Sequence, residues 1–228
     1  MKWIAIGLAL IIAVAIGAWW YEGYEAQAAL LKQPIYRVLK KHEPALYGDL
    51  LNEYRTYKRG EDRPENFVNL ANSQISLAAT QRLAHASQDS VLALMQDMVA
   101  TAKKLQGKPG DACFRYWFPQ VSGPPDIAQL VDARSQAHTL DLMAEVIRSA
   151  AENPAPLPDP EAVKGNLTAV VNATYDEFGA DAQMLSHAED PRADHAKVCT
   201  ITISVYERIL RLPPAQAGDL IRAMTQVR

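Results

Sequence analysis

Apolar residues recur along most of this chain with the 3.6-residue period of a helix that buries one face. The clearest run follows Ser87, a side chain suited to capping, through Val91, Leu94, Met95, Met98, Ala102 and Leu105, and stops at Gly107. Earlier, Pro44 opens a segment with Leu46, Leu50, Tyr54 and Tyr57 on one face, ending at Gly60, and Pro64 starts another that carries Phe67, Leu70, Gln74, Leu77 and Ala78 toward Ala86. Pro124-Pro125-Asp126 begins a helix using Ile127, Leu130, Val131, Ala137, Leu140, Ala144 and Ile147. Glu161 to Leu185 reads as a further helix, and Pro213-Pro214 separates one ending at Leu212 from a short last one, Ala215 to Gln226.

Val198 to Tyr206 alternates apolar and hydroxyl residues as a half-buried strand would. A helix is expected instead, because Val198, Ile201, Val205, Ile209 and Leu212 also share one helical face, and a lone strand would have only Phe114 to Phe118 to pair with. Its wide apolar arc makes it the expected central helix.

The first stretch follows a different rule. From Trp3 to Tyr21 there is no charge, and about 19 helical residues come close to the roughly 30 Å of a bilayer's hydrocarbon core. Trp3 stands at one end and Trp19, Trp20 and Tyr21 at the other, where aromatic rings settle among lipid headgroups. A cleaved signal peptide is the rival reading, with Ala26-Gln27-Ala28 as its cleavage site. The length of the apolar run and its terminal aromatics favour a retained anchor. The predicted fold class is therefore all-α: a single N-terminal transmembrane helix over 1–21, a helical stalk over 22–43, and a multi-helix, bundle-like soluble domain over 44–228. Inside that domain Asn153-Pro-Ala-Pro-Leu-Pro-Asp-Pro160 reads as an extended, proline-rich linker. Within the anchor Ala5, Ala9, Ala13 and Gly17 repeat at every fourth residue, a stripe that lets a second membrane helix approach closely.

Composition narrows the partners. With Lys+Arg at 23, Asp+Glu at 26 and a net charge of -3, the chain has no basic footprint for a phosphate backbone, so nucleic acid is not an expected partner. The expected partners are the membrane, crossed once, and a protein; no cofactor is implied. The chain has 2 cysteines, Cys113 and Cys199, each among large apolar neighbours. That pattern fits one structural disulfide in an oxidising compartment better than two buried thiols. Lys2 alone precedes the span, whereas Lys32, Arg37, Lys40 and Lys41 follow it, which counted naively keeps the domain in the cytoplasm. The cysteines argue for export, and the expected location is the bacterial inner membrane with the soluble domain in the periplasm.

Sites of chemistry are sparse. His187, Glu189, Asp190, Asp194 and His195 have metal-ligand chemistry but no recognised zinc spacing, so no metal site is assigned. No nucleophile elbow, Gly-rich phosphate loop or Cys-x-x-Cys is present. Glu145 with Glu152, or Asp176 with Glu177, are the nominal carboxylate pairs for a glycan-cleaving envelope hydrolase. Phe114, Arg115, Tyr116, Trp117 and Phe118 concentrate aromatic residues beside Cys113: either a lid pinned on the helices or an anchor for a partner protein. The expected function is a non-catalytic, membrane-anchored envelope interaction protein, an accessory subunit of a membrane complex or a toxin-binding inhibitor, with the hydrolase as alternative.

Overall fold

Proline and capping side chains set where the helices begin. The computed structural model describes residues 24–190 and 192–226, and every regular element among them is helical. After helical backbone over 24–30 come α1 (Pro34–His42), α2 (Pro44–Lys58), α3 (Pro64–Arg82), a 3-10 turn (Leu83–His85) and α4 (Gln88–Leu105). The short α5 (Ala112–Trp117), α6 (Pro119–Ser122) and α7 (Ile127–Leu130) follow, and then α8 (Ala133–Glu152), α9 (Pro160–Phe178), a 3-10 stretch (Gly179–His187), α10 (His195–Arg211) and α11 (Pro214–Met224). Pro34, Pro44, Pro64, Pro119, Pro160 and Pro214 each stand at a first helical position, where the missing N–H costs no hydrogen bond. Among the described residues no helix is long and apolar enough to cross a membrane. The apolar stretch Trp3 to Tyr21, with Ala5, Ala9, Ala13 and Gly17, lies outside the described residues.

The chain divides into two compact units, one up to Ala78 and one from Ala79 onward, and the division falls inside α3. In the first, α1 packs on α2, and α1 buries Ile35, Tyr36 and Leu39 while α2 buries Tyr47, Leu50 and Leu51. The Tyr54 and Phe67 rings meet at 5.2 Å with their planes tilted by 59°, and Tyr57 stacks on Phe67 at 6.2 Å, which ties α2 to the start of α3. The buried line of α3 here is Phe67, Ala71, Ile75 and Ala78, whereas Leu70 and Leu77 face solvent. Small side chains let a helix seat closely, and the larger leucines point away.

The second unit is built around α4, which packs against α8, α10, α11 and α5. Ser87 caps α4 by accepting a hydrogen bond from the Ser90 N–H, and the Ser90 hydroxyl lies 3.0 Å from that of Ser149 on α8. One face, Val91, Leu94, Met95, Val99, Ala102 and Leu105, is fully buried, and Gly107 at φ 70 ends the helix in a conformation that side chains other than glycine seldom adopt. The second central element is α10, packed on α4, α5, α9 and α11. Asp194 caps it, and the hydroxyls of Thr200 and Thr202 donate back to the carbonyls of Ala196 and Val198, so the hydroxyl residues that suggested a strand are satisfied inside a helix. As expected from sequence, this segment is helical and central.

Between α10 and α4, α11 makes a close approach at Gly218. A Cβ there would meet Gln88 Cγ at 2.8 Å and Gln88 Cβ at 3.5 Å. Gly218→Leu should therefore force α11 away from α4 and destabilise by about 1–3 kcal/mol. Thermal unfolding checks this, and an unchanged Tm would mean that α11 slides without cost.

Candidate functional site

The aromatic segment beside Cys113 forms α5. Gly110 at φ 69 and Asp111 at φ 52 turn the chain into it, and the Asp111 Oδ2 lies 2.8 Å from Nδ1 of His195 at the start of α10. Cys113 and Cys199 form a disulfide, with Cα atoms 5.9 Å apart, between α5 and α10. Both half-cystines are buried among Val99, Ala102, Leu105, Val131 and Ile203.

Each side chain of 114–118 has a place in the packing. Phe114 is 1% exposed; its ring stacks on His195 at 3.8 Å, with planes 6° apart, and on Phe118 at 5.1 Å. Arg115 folds back to donate from Nε to the Gly123 carbonyl at 3.0 Å and from Nη2 to the Pro124 carbonyl at 2.6 Å, closing the loop after α6. Burial raises the Tyr116 phenol well above its usual range, and the nearby Asp97 carboxylate pushes the same way. Trp117 stacks on Tyr206 of α10 at 4.8 Å, with planes 10° apart. Its indole N–H is buried and has no partner among the described residues. None of these side chains is exposed; the segment packs as a lid held by the disulfide.

A shallow groove of about 310 Å³ lies between α4 and α10. Val99, Ala100 and Leu210 form its apolar floor, and Lys103, Glu207 and Arg211 its edge. Glu207 pairs with Lys103 and, at 3.7 Å, with Arg211, so two cations share one carboxylate. This groove was not legible in the sequence, because its residues come together only when two distant helices pack antiparallel. With a single carboxylate and no nucleophile on its walls, the groove can hold an apolar or anionic side chain but has no pair of groups for acid–base hydrolysis.

The remaining sequence candidates are dispersed. Asp190 pairs with Arg192 at 2.9 Å, which holds its carboxyl down to about 2. Asp194 is used as the α10 cap, His195 is paired with Asp111, and His187 and Glu189 are exposed. Among the described residues no group of three His, Cys, Asp or Glu could hold a metal ion. Glu145 and Glu152 both turn to Arg148, at 2.5 and 3.5 Å, on the same helix. Glu177 accepts from Arg208 at 2.5 Å and from Ser204 at 2.7 Å, and the hydrogen bond from Arg208 is the main force lowering its pKa. A general acid needs the opposite shift.

The chain matches no known protein-family model, no curated protein and no solved structure.

Proposed function

We propose that this chain is a membrane-anchored, non-catalytic interaction protein of the bacterial envelope, with its helical body in the periplasm as an accessory subunit of a membrane complex or as a toxin-binding inhibitor. The reading rests on the Cys113–Cys199 disulfide, a bond that persists in oxidising compartments, taken with the charge-free run from Trp3 to Tyr21. Of the carboxylates that a hydrolase would need, Glu145 and Glu152 pair with Arg148 and Glu177 pairs with Arg208, which disfavours that alternative.

Two measurements test it. Protein isolated without reductant should take up no maleimide even after denaturation, and protease added to spheroplasts should digest the domain while leaving cytoplasmic markers intact. Two reactive thiols, or a domain shielded until the membrane is broken, would overturn the location. For the partner, affinity capture from solubilised membranes with Trp117→Ala is informative alongside thermal melting. Lost association at an unchanged Tm places the partner on the aromatic segment, whereas a lowered Tm assigns Trp117 to packing.

A further inference from the structure

The proline-rich stretch 153–160 does not behave as a free linker. Asn153, Ala155, Leu157 and Asp159 each precede a proline, which drives them out of the helical region, and the prolines themselves have φ fixed near that of polyproline II. Asp159, at φ -67 and ψ 119, has that conformation. Polyproline II has three residues per turn, so every third side chain lies on one edge. Burial follows that period: Ala155 and Pro158 on one edge are half-buried, whereas the other two edges, Pro154, Leu157 and Pro160 and Asn153, Pro156 and Asp159, are exposed.

The inner edge is pinned within the second unit. The Ala155 N–H donates to the His85 carbonyl at 2.8 Å, and the His85 ring lies 3.3 Å from the Ala155 carbonyl. Arg222, a buried side chain of α11, donates to the Pro156 carbonyl at 3.0 Å and pairs with Asp219. The outer edge is left open. Leu157 is 54% exposed, and the carbonyls of Pro154, Leu157 and Pro158 accept no hydrogen bond from the described residues. Six steps of about 3.1 Å from Pro154 to Pro160 give the ridge a length of roughly 19 Å. Two exposed acids stand at its C-terminal end, Asp159, whose carboxylate also caps α9 by accepting from the Glu161 N–H at 3.0 Å, and Glu161, with no basic residue from Asn153 to Val163.

We infer that the Pro154–Leu157–Pro160 ridge is a docking site for a partner protein whose groove is lined with aromatic rings and edged by positive charge. Flat rings pack against proline and leucine side chains, and indole or phenol donors reach carbonyls left open along such a ridge. Because the ridge is already extended and tied down, binding loses little conformational entropy. A basic rim on the partner complements Asp159 and Glu161 and sets the direction in which the ridge lies. The inference deepens the proposed interaction role and rests on it.

A photoreactive benzoylphenylalanine at position 157 of the full chain in its native membrane tests this, with the same group at the inward position 155 as control. The expected adduct forms only from position 157, and its partner peptide contains Trp or Tyr beside Lys or Arg. Leu157→Asp should reduce recovery of that partner at least about 10-fold at an unchanged Tm. Adducts to lipid or to a second copy of this chain would overturn the inference, as would equal recovery with Leu157→Asp. In that last case a captured partner would leave the interaction role standing; no partner from any variant would remove both.

Discussion

Replacing Cys113 and Cys199 together by alanine should lower the unfolding free energy of the second unit by about 4 kcal/mol. The bridge spans 86 residues of sequence, and in the chain-entropy view closing a loop of that size removes roughly this much freedom from the unfolded state. The two half-cystines are 5% and 1% exposed, so alanine retains much of the apolar contact while removing the covalent constraint. Urea unfolding followed by helical circular dichroism reads the change. With a slope of roughly 2 kcal/mol per M, the midpoint should fall by about 2 M. The same burial shields the sulfurs from attack by a thiolate, so dithiothreitol should reduce the native protein only as fast as the unit opens. An unchanged midpoint would mean that the denatured chain already holds α5 near α10 by other contacts.

The helix starts at Pro44, Pro64 and Ser87 were legible because these residues act locally, through hydrogen-bond geometry that does not depend on the rest of the fold. The segment from Val198 to Tyr206 was harder, since β-branched residues favour strands. Its threonine hydroxyls find carbonyls one turn back, which satisfies them without a neighbouring strand. Three features went unread. Continuous periodicity from Ile127 to Ile147 hid a break after Leu130, where Asp132 caps α8 by accepting from the Ser135 N–H at 2.9 Å; the Asp-x-x-Ser spacing was the available signal. Gly179 ends α9 at Phe178, and the chain continues as a 3-10 stretch where a longer helix was expected. In α3 the face read as Phe67, Leu70, Gln74, Leu77 and Ala78 holds for Phe67 and Ala78, but Ala71 and Ile75 are buried beside them while Leu70 and Leu77 are exposed. The site residues divide in the same way. The disulfide followed from two cysteines in apolar settings, whereas the groove edged by Lys103, Glu207 and Arg211 depends on how α4 and α10 pack.

Phe114→Ala should cost about 3–5 kcal/mol, close to the loss from the disulfide and far beyond that of a surface aromatic. The ring fills a site between His195 and Phe118 and packs with Ala188 and Val198. It thereby joins α5 to the start of α10 and to the end of the 3-10 stretch. Removal leaves a cavity bounded by backbone that the disulfide and the Asp111–His195 contact hold in place, so the walls cannot collapse to fill it. This shared geometry makes the two predictions dependent on one another. Once the bridge is gone α5 can shift, the cavity can close, and the added cost of losing Phe114 should shrink. A double-mutant cycle of Phe114→Ala with the paired cysteine-to-alanine change should therefore give a combined loss smaller than the sum by about 1 kcal/mol or more, as for residues in contact. Strict additivity would show that the aromatic segment and the disulfide hold α5 independently. The lid would then be a set of separate attachments, and not one cooperative patch on α10.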